Sequence, residues 1–341
     1  MSAQRITTYI FIMLSALTAV LFCLDLAVGA VRIPVTDVWA ALTGGNCPEA
    51  TIFIVRDIRL IKAIVALLTG AALSVSGLQM QTLFRNPLAG PYVLGVSSGA
   101  SLGVALFTLG MPLLGISASS VWWGGIGAVG AAWVGAATIL LIIMAVTTRI
   151  KDIMAILIMG MMFGSAATAI VEILQYMSPE GAVKSYVVWT MGSLGGVLLS
   201  ELRILVPVLA AGLALSVSLI KPLNMLLLGE NYARTMGLDI RATRLRIFAS
   251  TILLAGTVTA YCGPISFLGL AVPHIVRMAF READHRILMP ASMVCGGGIM
   301  LLCDLASQLP SSDMTLPINT VTAFIGIPVV IAVIFRTRKN A

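Results

Sequence analysis

Residues 122–148 read WWGGIGAVGAAWVGAATILLIIMAVTT, 27 positions without one Asp, Glu, Lys or Arg. A helix rises about 1.5 Å per residue, so about 20 apolar residues cross the hydrocarbon core of a bilayer. This run is long enough to span and too apolar to face water. Further apolar stretches of spanning length lie at 8–30, 61–84, 91–112, 153–177, 199–220, 247–263, 265–280, 287–306 and 318–335. Inside lipid each backbone N–H and C=O must be satisfied within the protein, which favours helices over open strands. The expected fold class is therefore an all-α integral membrane protein of about ten transmembrane helices, with residues 1–341 forming one transmembrane domain.

Composition agrees. The 341 residues are 59% hydrophobic and 10% charged, with a mean hydropathy of +1.04, whereas soluble domains carry about 25% charged residues. The net charge of +7 forms no aromatic-interleaved basic patch, which argues against nucleic acid as a partner. It follows topology instead. With both termini cytoplasmic and ten spans, 15 of the 21 Lys and Arg residues fall inside, Arg149 and Lys151 among them, and six outside. That bias is the positive-inside pattern. Four of the six outer charges, Arg32, Arg56, Arg59 and Lys62, share the segment 31–62. The first stretch exceeds a signal-peptide core and reads as a retained helix. Pro264 and Pro273 predict a short, kinked helix over 265–280, and 185–198 is too short to span, which suits an interfacial helix.

Five cysteines, four of them in apolar stretches, give neither a disulfide framework nor a metal knuckle. No Gly-x-x-x-x-Gly-Lys-Ser/Thr loop occurs, so ATP, if used, binds another polypeptide. Gly95-Val96-Ser97-Ser98-Gly99 matches the nucleophile-elbow pattern, but it opens an apolar helical stretch where that chemistry needs a strand-to-helix turn. The chain therefore reads as no enzyme, with no cofactor of its own. Gly95, Gly99 and Gly103, like Gly160 and Gly164, recur every four residues and suit close helix packing. Met154, Met159, Met161 and Met162 give the fifth span an adaptable thioether surface. Glu172 and Asp304 are the acidic residues noted inside spans. So few argue against the alternative of an ion-coupled secondary transporter acting without an ATPase, which is expected to hold paired charges in broken helices.

The longest inner loop, 221–246, contains Gly229-Glu230-Asn231-Tyr232-Ala233-Arg234-Thr235-Met236-Gly237. It reads as a short helix opened by Gly229, favoured by Glu230 at its positive end and stopped by Gly237. A short rigid helix projecting from a membrane suits docking into a groove on a cytoplasmic partner.

Four blocks resemble the FecCD-type permeases, the ABC-importer subunits for ferric siderophores, haem and cobalamin. They are Gln81 to Ala100, with Asn86-Pro87-Leu88-Ala89, Pro91 and Gly95; Gly229 to Gly237; Gly263-Pro264 through Pro273-His274 to Arg277; and Phe324 to Pro328. The resemblance implies a homodimeric permease in the bacterial cytoplasmic (inner) membrane. It implies two cytoplasmic ATPase subunits, which bind ATP and Mg, and one extracytoplasmic substrate-binding protein. Gly229, Glu230, Ala233, Arg234 and Gly237 would couple to the ATPase. Met159, Gly160, Gly164, Ser165 and Thr168 would line the translocation pathway. Arg56, Arg59 and Lys62 would meet the binding protein. The chain departs from the family pattern at Ile61, Lys62, Gln308, Thr315 and Asn319.

Overall fold

The computed structural model describes residues 3–29, 31–113, 121–147, 152–308 and 315–339. Ala30, Thr148, Arg149 and Lys151, which the expected spans and inner charges include, lie outside the described residues. Among those described there is no strand. Eight helices are long and apolar enough to cross a membrane, and two shorter apolar helices accompany them. In chain order these ten are α1 (Arg5–Ala27), α2 (Glu49–Phe84), α3 (Val96–Leu113), α4 (Gly127–Val146), α5 (Met154–Met177), α6 (Leu199–Ser218), α7 (Ile240–Cys262), α8 (Leu268–Phe280), α9 (His285–Ser307) and α10 (Ile318–Ala332). The all-α membrane fold is thus as expected, and several boundaries move. Residues 49–62, taken as outer loop, are helical and belong to α2, with a π-turn at Ile54–Arg59. The fifth-to-sixth connection holds a helix at Glu180–Thr190, earlier than expected, because Gly192 adopts φ 74° and ends the helical run. Pro273 sits inside α8, which starts only after Phe267 in a left-handed conformation.

The chain forms two compact units, Met1–Val75 with Ser193–Pro207 and Ile265–Ala341, and Ser76–Gly192 with Val208–Pro264. In the first, Gly70 of α2 and Gly296 of α9 meet backbone to backbone. A Cβ on either would run into the carbonyl of the other. In the second, Gly103 of α3 faces the Ala131 carbonyl of α4 in the same way. Lipid supplies no hydrophobic drive between helices, so dispersion contact between close backbones holds them together. The helix Glu180–Thr190 is pinned by Tyr186. Its buried phenol bonds to Ser101, and burial pushes its pKa above the usual value.

The first unit also encloses two basic and two acidic side chains. Lys62 pairs with Asp304 at 2.7 Å, and the Gln308 side chain donates to the same carboxylate at 2.9 Å. Arg59, 6% exposed, donates to the carbonyls of Leu26 (3.0 Å), Ala27 (2.8 Å) and Val31. Asp25, 3% exposed, lies in the field of Asp304, Lys62 and Arg59. Buried charge needs a partner, and Lys62 with Asp304 supplies one for each sign. Asp25 corrects the sequence reading, which noted only Glu172 and Asp304 inside spans.

Replacing Lys62 by Met strands a buried carboxylate, so Lys62→Met should cost about 3–5 kcal/mol of stability. The double variant Lys62→Met/Asp304→Leu removes one charge of each sign and should recover most of that loss. Melting curves in detergent decide, and equal melting points for single and double variants would refute the pairing.

Candidate functional site

The second unit carries a cavity of about 600 Å³ between α5 and the segment that begins α3. Asn86 starts that segment with a turn in which its side-chain oxygen accepts from the Leu88 N–H at 2.9 Å. Pro91 then opens a short 3₁₀ turn, Pro91–Leu94, closed by Gly95 at φ 73°. A Cβ at Gly95 would lie 3.0 Å from the Gly160 carbonyl of α5. Here glycine serves both the left-handed turn and the close approach.

Four of the five residues expected on the pathway wall, Gly160, Gly164, Ser165 and Thr168, line this cavity together. Met159 does not, and Met161 does. Successive helical residues turn by about 100°, so Met161, Gly164/Ser165, Thr168 and Glu172 share one face while Met159 points away. Sequence reading missed Tyr92, Ser98 and Glu172 as wall residues. The three-and-four spacing from Met161 to Glu172 was the available signal for the last. The Ser97 hydroxyl follows the left-handed Gly95 on the first turn of a helix, with no strand before it among the described residues.

On the polar loop, Glu230–Thr235 is helical and is preceded by a further helix at Ile220–Leu227. Its C-terminus closes with two bonds, Leu238 N–H to the Ala233 carbonyl (3.0 Å) and Gly237 N–H to the Arg234 carbonyl (2.9 Å). With Gly237 at φ 86° this is a Schellman cap. Ala233 is fully buried and Arg234 is exposed. Leu228, Tyr232 and Met236 are exposed apolar side chains on and beside this helix. Glu230 pairs with Arg244 of α7 at 2.5 Å. Arg85, at φ 48°, donates to the Leu226 carbonyl at 3.2 Å. Its guanidinium also covers Gly229, where a Cβ would lie 2.8 Å from Nη2. Arg85 immediately precedes Asn86, so the loop helix and the cavity segment are joined through one side chain.

The remaining predicted residues are dispersed. Gly263, at φ 74°, leaves no room for a Cβ beside the Trp189 carbonyl, and Pro264 follows it. Pro273 and His274 are buried in α8. Of the basic residues, Arg56 is exposed and closes the helix Val35–Thr43 by donating to the Ala41 carbonyl at 2.6 Å. Arg59 and Lys62 are turned into the first unit. Besides Lys62, three of the positions that depart from the family pattern find local uses, and nothing in the structure explains Thr315. Ile61 is buried, Gln308 serves Asp304, and Asn319 accepts from the Ser266 N–H at 3.0 Å.

Comparison with known proteins supports the same reading. The model of the FecCD transport family matches residues 17–336. The vitamin B12 import system permease protein BtuC of Shigella boydii serotype 18 is 35% identical over 304 residues, covering 88% of this chain and 89% of its own. The same protein from Escherichia coli O9:H4 is 36% identical over 86% of each chain. That from Klebsiella pneumoniae is 36% identical over 83% of this chain and 82% of its own. A solved structure described as an inward-facing metal-chelate type ABC transporter superposes with a TM-score of 0.83 at 27% identity. It covers 96% of this chain and 99% of its own. Such permeases work with an ATPase and a substrate-binding protein, and this chain belongs to the FecCD transport family as a membrane-embedded permease subunit of an ABC importer.

Proposed function

We propose that the chain moves a corrinoid or a similarly large metal chelate across the bacterial cytoplasmic membrane, without catalytic residues or a cofactor of its own. The observation that carries this is the identity to vitamin B12 permeases across more than four-fifths of both chains. Two copies would form the working dimer, with two ATPase subunits holding ATP and Mg beneath and one binding protein above. Both termini would face the cytoplasm, as the charge bias favours. The cavity on α5 would be one subunit's share of the pathway. Arg56 is the basic residue best placed to meet the binding protein, since Arg59 and Lys62 already serve internal partners.

The exposed apolar residues Leu228, Tyr232 and Met236 suit an apolar groove on the ATPase. The Glu230–Arg244 pair and the cap at Gly237 would keep the helix rigid enough to pass on motion. Arg85 would carry that motion to the turn at Asn86 and so to the cavity wall.

Purification of tagged protein from its host in mild detergent should recover a P-loop ATPase in stoichiometric amount. Recovery of this chain alone in several gentle detergents would count against the assembly. Glu230→Arg should lower ATP-driven uptake about tenfold, as loss of a charge-assisted bond allows, with the protein still in the membrane. Adding Arg244→Glu should restore part of it, and no rescue would show that the pair is not what orients the helix. Ser97→Ala should leave uptake unchanged, and its loss would reopen a catalytic role for that serine.

A further inference from the structure

The wall of the α5 cavity carries several hydroxyls and one charged side chain. The Ser165 hydroxyl donates to the Met161 carbonyl at 3.1 Å, and the Thr168 hydroxyl donates to the Gly164 carbonyl at 3.0 Å. Both protons are spent on the helix backbone, so the oxygens offer lone pairs to a ligand. Four residues beyond Thr168, on the same face, stands Glu172, exposed and the one acidic side chain on the wall. An ionised carboxylate only accepts. No Lys, Arg or His lines the cavity, and among the described residues Glu172 forms no ion pair. Ser98 and Tyr92 add hydroxyls to the same wall, so donors and acceptors are both present, and Glu172 is the one charged side chain among the lining residues.

We propose that this wall selects cargo by charge, with Glu172 as the specificity-determining residue. A neutral or cationic chelate meets no like charge on the wall and finds polar partners along it. A chelate bearing carboxylate or catecholate anions meets like charge at Glu172, which disfavours it at close range. The proposal rests on the importer reading above and narrows its cargo class.

The test uses the complete transporter in proteoliposomes, with its ATPase and binding protein. The probes are vitamin B12, whose side chains are amides, and a monocarboxylic acid derivative in which one amide is replaced by a carboxylate. The two are nearly equal in size. The binding protein contributes the same preference throughout, so a change in the uptake ratio between permease variants reports on the wall. Wild type should favour the amide. Glu172→Gln should narrow that preference about tenfold, chiefly through faster uptake of the acid, while Glu172→Asp should keep it. Ala169→Lys, which sets an ammonium on the same wall, should narrow it by an independent route. A wild-type ratio retained in Glu172→Gln or in Ala169→Lys overturns the proposal alone. Failure of wild type to take up either compound under ATP overturns the corrinoid reading, and this proposal with it.

Discussion

Lipid offers no hydrogen bonds, and the rest of the structure follows from that. Each charge placed within a span must find a partner inside the protein or face a water-filled cavity. The first unit meets this demand by pairing Lys62 with Asp304 and by spreading Arg59 over three carbonyls. The same solvent removes the hydrophobic drive between helices, so association depends on close backbone approach. That places Gly70 against Gly296 and Gly103 against Ala131.

The second unit uses these constraints to join a polar loop to a cavity. Arg85 spans from the Leu226 carbonyl and Gly229 to the turn at Asn86. The 3₁₀ turn and Gly95 then lie against α5. Each link is a short contact between rigid pieces, a geometry that carries displacement more faithfully than a flexible loop does. The family's Asn-Pro-Leu-Ala-x-Pro-x-x-Leu-Gly run thereby gains a physical meaning. It is the backbone path between the loop helix and the wall.

Much of this was legible in the residues. Hydropathy placed the ten apolar segments because a spanning helix carries its whole signal locally. The cap at Gly237 was legible for the same reason, whereas the α5 wall came from the family resemblance and included Met159, which points away. The buried charges were not, because Asp25, Lys62 and Asp304 are far apart in sequence and only tertiary packing brings them together. Lys62 and Arg59 looked like outer-surface residues since an apolar flank and a water-facing one read alike at a span's edge. The helical start of α2 at Glu49 was hidden by polar residues that hydropathy assigns to loop.

The Schellman cap has a consequence for how such a subunit changes over time. Its stiffness comes from main-chain bonds and from one buried methyl group at Ala233. The outward side chains at Asn231, Tyr232, Arg234 and Thr235 therefore carry little of the local fold. Those four positions can drift or be redesigned while the tip keeps its shape, so its outer surface can change without disturbing the fold beneath it.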